Sequence, residues 1–134
     1  MKFTIPFSIL VTVICFSFVL EAQKKKNSEK IEMNLHDFME EYTKPATKLY
    51  DKKGNADYLN KILAKVPSLA VPEERAEWQE IVDTNLSQNT PEDSCKACHT
   101  KFKKSYKKNY RKRLIEVPED LIGFPKEIRE LLKK

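Results

Sequence analysis

The chain has 134 residues, enough for one domain but not comfortably for two, with 25 Lys and Arg against 20 Asp and Glu and a formal charge of +5. Only two glycines are present, Gly54 and Gly123, which excludes a glycine-rich phosphate loop or dinucleotide fingerprint and argues against a sheet built on tight turns. Good helix formers dominate, and apolar alternation at period two never persists, so the composition predicts an all-α protein.

The N-terminus differs from the rest. Lys2 is followed by an almost wholly apolar stretch from Phe3 to Leu20, then by Ala22 and a polar run. A charged start, an apolar middle and a small residue before polar sequence predict a secretory signal peptide cleaved near Ala22. A retained anchor fits less well, because the run is near the lower limit for spanning a bilayer and Pro6 interrupts it. Ile14 is bulky where lipoprotein processing at Cys15 would want a small residue. The expected organisation is a signal peptide over 1–22, a spacer over 23–28 that includes Lys24 to Lys26, a helical domain over 29–116 and a short tail over 117–134. The expected product is exported and not embedded in a membrane.

Four amphipathic helices follow in order. The first starts at Ser28 and Glu29 and carries Ile31, Leu35, Phe38, Met39, Tyr42, Ala46 and Leu49 at spacings of three and four, with Pro45 kinking it or ending its regular part. Gly54 marks the turn, and a second helix over about 56–65 presents Leu59, Ile62, Leu63 and Val66. Pro72, Glu73 and Glu74 open a third with Trp78, Ile81, Val82 and Leu86 on its stripe, and Pro91, Glu92 and Asp93 open a fourth that reaches about Arg113. A brief helical piece near Lys126 to Leu132 ends the chain. Short connections between four such helices predict an antiparallel four-helix bundle. Its core would be small, which leaves room for a large cofactor.

The chemistry lies in the fourth helix, at Cys95-Lys96-Ala97-Cys98-His99. Residues three and four apart share a helix face, so both thiols and the imidazole point the same way. Two thiols at that spacing can add to the two vinyl groups of a haem, and the adjacent imidazole can ligate the iron; the pattern is the attachment signal of c-type haem. The expected cofactor is one covalent haem c, with Cys95 and Cys98 as tethers and His99 as the proximal ligand. A disulfide oxidoreductase would need a strand leading into this helix, and none is legible. A zinc site would need a second ligand pair, and the remaining histidine is His36.

With its CxxCH motif and Phe102 late in a chain of four helices, the sequence resembles the class II cytochromes c, the cytochrome c′ family, over roughly Glu29 to Arg113. Pro45 and Trp78 fit the family pattern more loosely. The chain departs from it in that Pro91 stands only four residues before Cys95, so the haem would sit at a shifted level in the bundle. The resemblance implies that the first helix faces the distal side of the iron, where Met33, His36 and Met39 are candidates, and that the bundle is able to pair as a homodimer. Counting back from Pro45 in the family pattern favours Met33. Antiparallel geometry favours Met39: His99 lies about seven residues into its helix, and Met33 would be too distant by roughly 9 Å. The metal ligands expected are therefore His99 and Met39.

From Lys101 to Arg113 the chain has eight basic residues and no acidic one. Phe102, Tyr106 and Tyr110 recur at four-residue spacing and are expected to pack inward, leaving the cations on a solvated face. That face suits docking of an acidic redox partner, and the inward aromatics argue against a nucleic-acid partner. The function expected is a periplasmic monohaem electron carrier, not an enzyme. A five-coordinate gas-binding cytochrome and a haem-free interaction module using the basic face remain as alternatives.

Overall fold

The computed structural model describes residues 30–134; the expected signal peptide, its cleavage point, the whole spacer and the expected helix start at Ser28 and Glu29 lie outside the described residues. The chain is mostly helical, with one small two-stranded sheet. Strand β1 (Glu32–Asn34) leads into α1 (Leu35–Phe38), a π-helical turn (Met39–Thr43) and α2 (Lys44–Lys53). Helix α3 (Asp57–Lys65) runs into a 3-10 turn (Val66–Leu69), and α4 (Arg75–Ser87) is followed by α5 (Pro91–Lys101) and α6 (Lys103–Asn109). Strand β2 (Leu114–Glu116), a 3-10 turn (Glu119–Leu121) and α7 (Phe124–Lys133) complete the chain.

The first helix starts later than its periodicity predicts. Ile31 and Met33 belong to an extended segment, and β1 pairs antiparallel with β2 in the register Glu32 to Glu116, Met33 to Ile115 and Asn34 to Leu114. Asn34 caps the helix: its side chain accepts the Asp37 N–H and donates to the Asp37 carboxylate at 2.6 Å. The expectation of no strand is thus corrected by a pairing between distant segments of three residues each, too short to show a period.

Pro45 neither ends nor simply kinks the helix. It has no N–H to offer the Glu41 carbonyl, and its ring would press on that carbonyl in a regular α-turn. The backbone widens just ahead of it, and Lys44 N–H reaches back to the Met39 carbonyl, the five-residue closure of a π-turn. Helix α2 then runs to Gly54, whose φ of 68° makes the left-handed cap that returns an N–H to Tyr50. Asn89, with φ of 57°, takes the same region after α4.

The core gathers one face from each element. Phe38, Tyr42, Ala46 and Leu49 line the first, Leu59, Ile62 and Leu63 the second, and Trp78 and Val82 the third. Each large apolar side chain removed from water contributes about 1.5–3 kcal/mol. The C-terminal segment is part of this core and does not trail from it. Val117, Leu121 and Ile128 are buried, and α7 packs on α2. The fourth helix is also broken where a continuous one was expected: it ends at Lys101, Phe102 interrupts it, and α6 stops at Asn109 before β2.

Candidate cofactor site

Helix α5 begins where Pro91 supplies a pre-set φ and loses no hydrogen bond, with Glu92 and Asp93 in the first turn against the positive end of the helix. Its inner face seats Ser94 in the core and holds Cys95 and Cys98 half-buried, while His99 is exposed on the next turn. Trp78 of α4 packs at a tilt against Phe102, with 5.1 Å between ring centroids, which fixes the end of α5 against its neighbour.

A cavity of about 1240 Å³ opens between the first helical segments and α5. Most small-molecule sites occupy roughly 300–1,000 Å³, so this one has room for a large planar group. Cys95, Cys98 and His99 form one wall. Leu35, His36, Met39 and Thr43 form the facing wall, and Leu63, Val66, Trp78 and Val82 contribute apolar surface from the second and third helices. The residues singled out in the sequence are therefore brought together, with one exception. Met33 sits in β1 opposite Ile115 and does not line the cavity. Met39 does, and its sulfur accepts a hydrogen bond from the Thr43 hydroxyl at 3.3 Å. His36 reaches the rim, but it is exposed, with Nδ1 3.6 Å from the Asp37 carboxylate.

The thiols are free and both are held protonated. Burial raises Cys95, with a backbone hydrogen bond opposing and Glu92 adding to the rise. Burial also pushes Cys98 up to about 11; neighbouring Cys95 adds to this and Lys101 opposes it. A thiol-disulfide catalyst needs the opposite shift, because the thiolate is the nucleophile. The preceding element is helix α4 and a turn, not a strand. A zinc site fares no better: among the described residues no three His, Cys, Asp or Glu side chains converge as ligands of one ion. A porphyrin makes no such demand, since it supplies four iron ligands itself and asks the protein for tethers and axial groups. The donor set and the shape of the cavity fit that group.

Sequence reasoning missed Thr43, whose hydroxyl carries no signal in a helical stripe, and Ser94, buried beside Cys95. Trp78 and Tyr110 were legible as stripe residues but not as cavity walls. No protein-family model, curated protein or solved structure matches the chain.

The basic segment divides. Lys103, Lys104, Lys107, Lys108, Arg111 and Lys112 are exposed. Lys101 pairs with Glu77 at 2.9 Å, and Arg113 donates to the Leu69 carbonyl at 2.8 Å, so these two serve the fold. No helix of the described residues is long and apolar enough to cross a membrane.

Proposed function

We propose that the protein is an exported monohaem c-type cytochrome that carries single electrons, its helices forming an antiparallel four-helix bundle around the cofactor. One observation carries the reading: Cys95, Cys98 and His99 share a cavity of about 1240 Å³ with Met39 on the facing wall. Cys95 and Cys98 would tether the haem by thioether bonds, with His99 as proximal ligand and Met39 as distal ligand. A bound haem supplies a one-electron couple, and a thioether opposite histidine raises its potential.

The chain's own groups set the conditions for that couple. Val66, Val82 and Leu63 give the site apolar walls, which favour the less charged ferrous form. The π-turn ahead of Pro45 and the Thr43 hydroxyl orient the Met39 side chain. The cations of α6 present a positive face next to the site, and such a face speeds encounter with an acidic redox partner at low salt. The export expected from the N-terminal residues agrees with this chemistry, because attachment of this kind takes place outside the cytoplasm.

The test is production of the full chain in a host that matures c-type cytochromes. The expected result is haem retained after acid extraction, a reduced spectrum of thioether-bound haem, and loss of both in Cys95→Ser/Cys98→Ser. Haem removed by acid would end the proposal. Carbon monoxide bound rapidly by the reduced protein, without displacing a ligand, would replace electron carriage by gas binding.

A further inference from the structure

A second feature of the cavity wall leads away from the iron site toward the surface. Trp78 packs at a tilt against Phe102 at 5.1 Å and against Tyr110 at 5.2 Å between ring centroids, and all three rings border the cavity. Behind Tyr110 lies a carboxylate. The Tyr110 hydroxyl donates to Glu74 Oε2 at 2.6 Å, while Asn109 holds the other Glu74 oxygen at 3.2 Å. Tyr110 is 1% exposed, whereas Glu74 is only half-buried and so lies between the phenol and solvent. A buried phenol against a carboxylate at this distance is more than a packed aromatic. It is an oxidisable group with a proton acceptor already in place.

The two rings differ in what they can do with a proton. Trp78 Nε1 is buried and has no hydrogen-bond partner among the described residues. An oxidised Trp78 therefore keeps its proton, stays strongly oxidising and returns readily to its starting state. Tyr110 loses its proton on oxidation, because Glu74 is there to take it. Burial and Glu74 both raise the Tyr110 phenol, so it remains a neutral hydrogen-bond donor until it is oxidised.

We infer that Trp78, Tyr110 and Glu74 form a proton-coupled relay that draws oxidising equivalents away from the haem and stores them on Tyr110, at the border of the cavity. This rests on the haem reading above. The oxidant would be a hydroperoxide, ROOH, that enters the cavity and takes the place of the Met39 thioether at a bound haem. It takes up two electrons and two solvent protons and leaves as ROH and water. A bound haem in its reduced form would supply one of the two electrons. The other comes from Tyr110 by way of Trp78. The O–H bond of Tyr110 breaks, its proton forms the O–H bond of a Glu74 carboxylic acid, and a neutral tyrosyl radical remains. An attached haem and the Cys95, Cys98 and Met39 sulfurs around it would thereby be spared the second oxidising equivalent.

The experiment begins with haem content, read as the pyridine haemochrome of the full chain, so that failure of the haem reading is registered separately. The reduced protein is then mixed with hydrogen peroxide, frozen and examined by electron paramagnetic resonance, with ring-deuterated tyrosine to identify the radical. A tyrosyl signal is expected in the wild type and is lost in Tyr110→Phe. In Glu74→Gln, which keeps an acceptor for the phenol but a far poorer base, haem content is unchanged and the signal rises on the order of 100-fold more slowly, the low end of what a positioned base contributes. In Trp78→Phe the signal falls and haem bleaching increases. A signal that persists unchanged in Tyr110→Phe, or one indifferent to Glu74→Gln, overturns the relay. Should the chain hold no haem, a flash-generated tris-bipyridine ruthenium(III) oxidant decides the same question. A long-lived radical lost in Tyr110→Phe and slowed in Glu74→Gln supports the relay; one unaffected by both overturns it.

Discussion

The Thr43 hydroxyl and the Met39 sulfur are joined across 3.3 Å within one widened turn of helix. A thioether has two lone pairs, so the one facing Thr43 leaves the other for the cavity. A hydrogen bond to sulfur withdraws density from it and makes it a weaker donor to ferric iron, which raises the reduction potential. Thr43→Val keeps the side-chain shape and removes the hydroxyl. At about 0.5–1.5 kcal/mol for such a bond, and 59 mV per tenfold for one electron, the potential of the haem-bound protein falls by roughly 20–60 mV. Spectroelectrochemical titration measures the shift, and Thr43→Ser restores most of it. An unchanged potential would mean that the sulfur does not ligate the iron.

Met39 and Met33 are separated by their structural context more than by their chemistry. Met39→Ala removes a cavity-lining sulfur, and the expected result is a five-coordinate haem that binds carbon monoxide without a displacement step. Met33→Ala takes a half-buried side chain from a strand paired with Ile115. Its expected effect is confined to stability, at about 1–2 kcal/mol, with the spectrum unchanged. Absorption spectra and thermal melts of the two variants decide between the assignments.

That Cys95, Cys98 and His99 share one helix and line one cavity was legible because three- and four-residue steps on a helix are read directly. So were Met39 as the nearer methionine, the helix starts at Asp57 and Pro91, and the inward Phe102 and Tyr110. What could not be read depends on distant partners. The β1–β2 pair joins segments far apart in sequence, Met33 opposite Ile115, and each strand is too short to alternate. The π-turn follows from Pro45, but whether proline kinks, ends or widens a helix is decided by what packs around it. The proton acceptor of Tyr110 lies 36 residues away on the approach to α4, where Glu74 reads only as an N-terminal helix charge.

The alkaline behaviour of the haem-free chain should differ from that of the haem-bound one. Cys98 is pushed up to about 11, above the ordinary thiol value, because the folded site disfavours its thiolate. A group raised on folding stabilises the fold fully below its unfolded pKa, and that contribution is lost as pH rises through the folded value. The window therefore runs from the ordinary thiol range, about 8.5, up to about 11. Denaturation midpoints of the haem-free protein should fall across this window, and Cys98 should resist alkylation until its upper end. A thioether bond leaves no thiol to titrate, so this part of the alkaline loss is absent once haem is attached. Equal alkaline loss in the two forms would assign it to other groups.

The C-terminal helix supplies a test of how the site is supported at a distance. Ile128 is fully buried on α7, which packs on α2 below the π-turn, and it does not line the cavity. Ile128→Ala removes methyl groups from a closed core and costs about 2–5 kcal/mol, enough to unfold a marginal domain before haem can be attached. Leu114→Ala is the matched control, because Leu114 is 60% exposed and its loss should stay within about 0.5 kcal/mol. Yield of the haem-bound form and chemical denaturation of each variant check the pair. If the segment from Val117 onward were only a tail, Ile128→Ala would behave like Leu114→Ala. If α7 carries the first helix and thereby the Met39 wall, Ile128→Ala lowers both stability and haem yield, and a cavity-filling Ile128→Leu restores them.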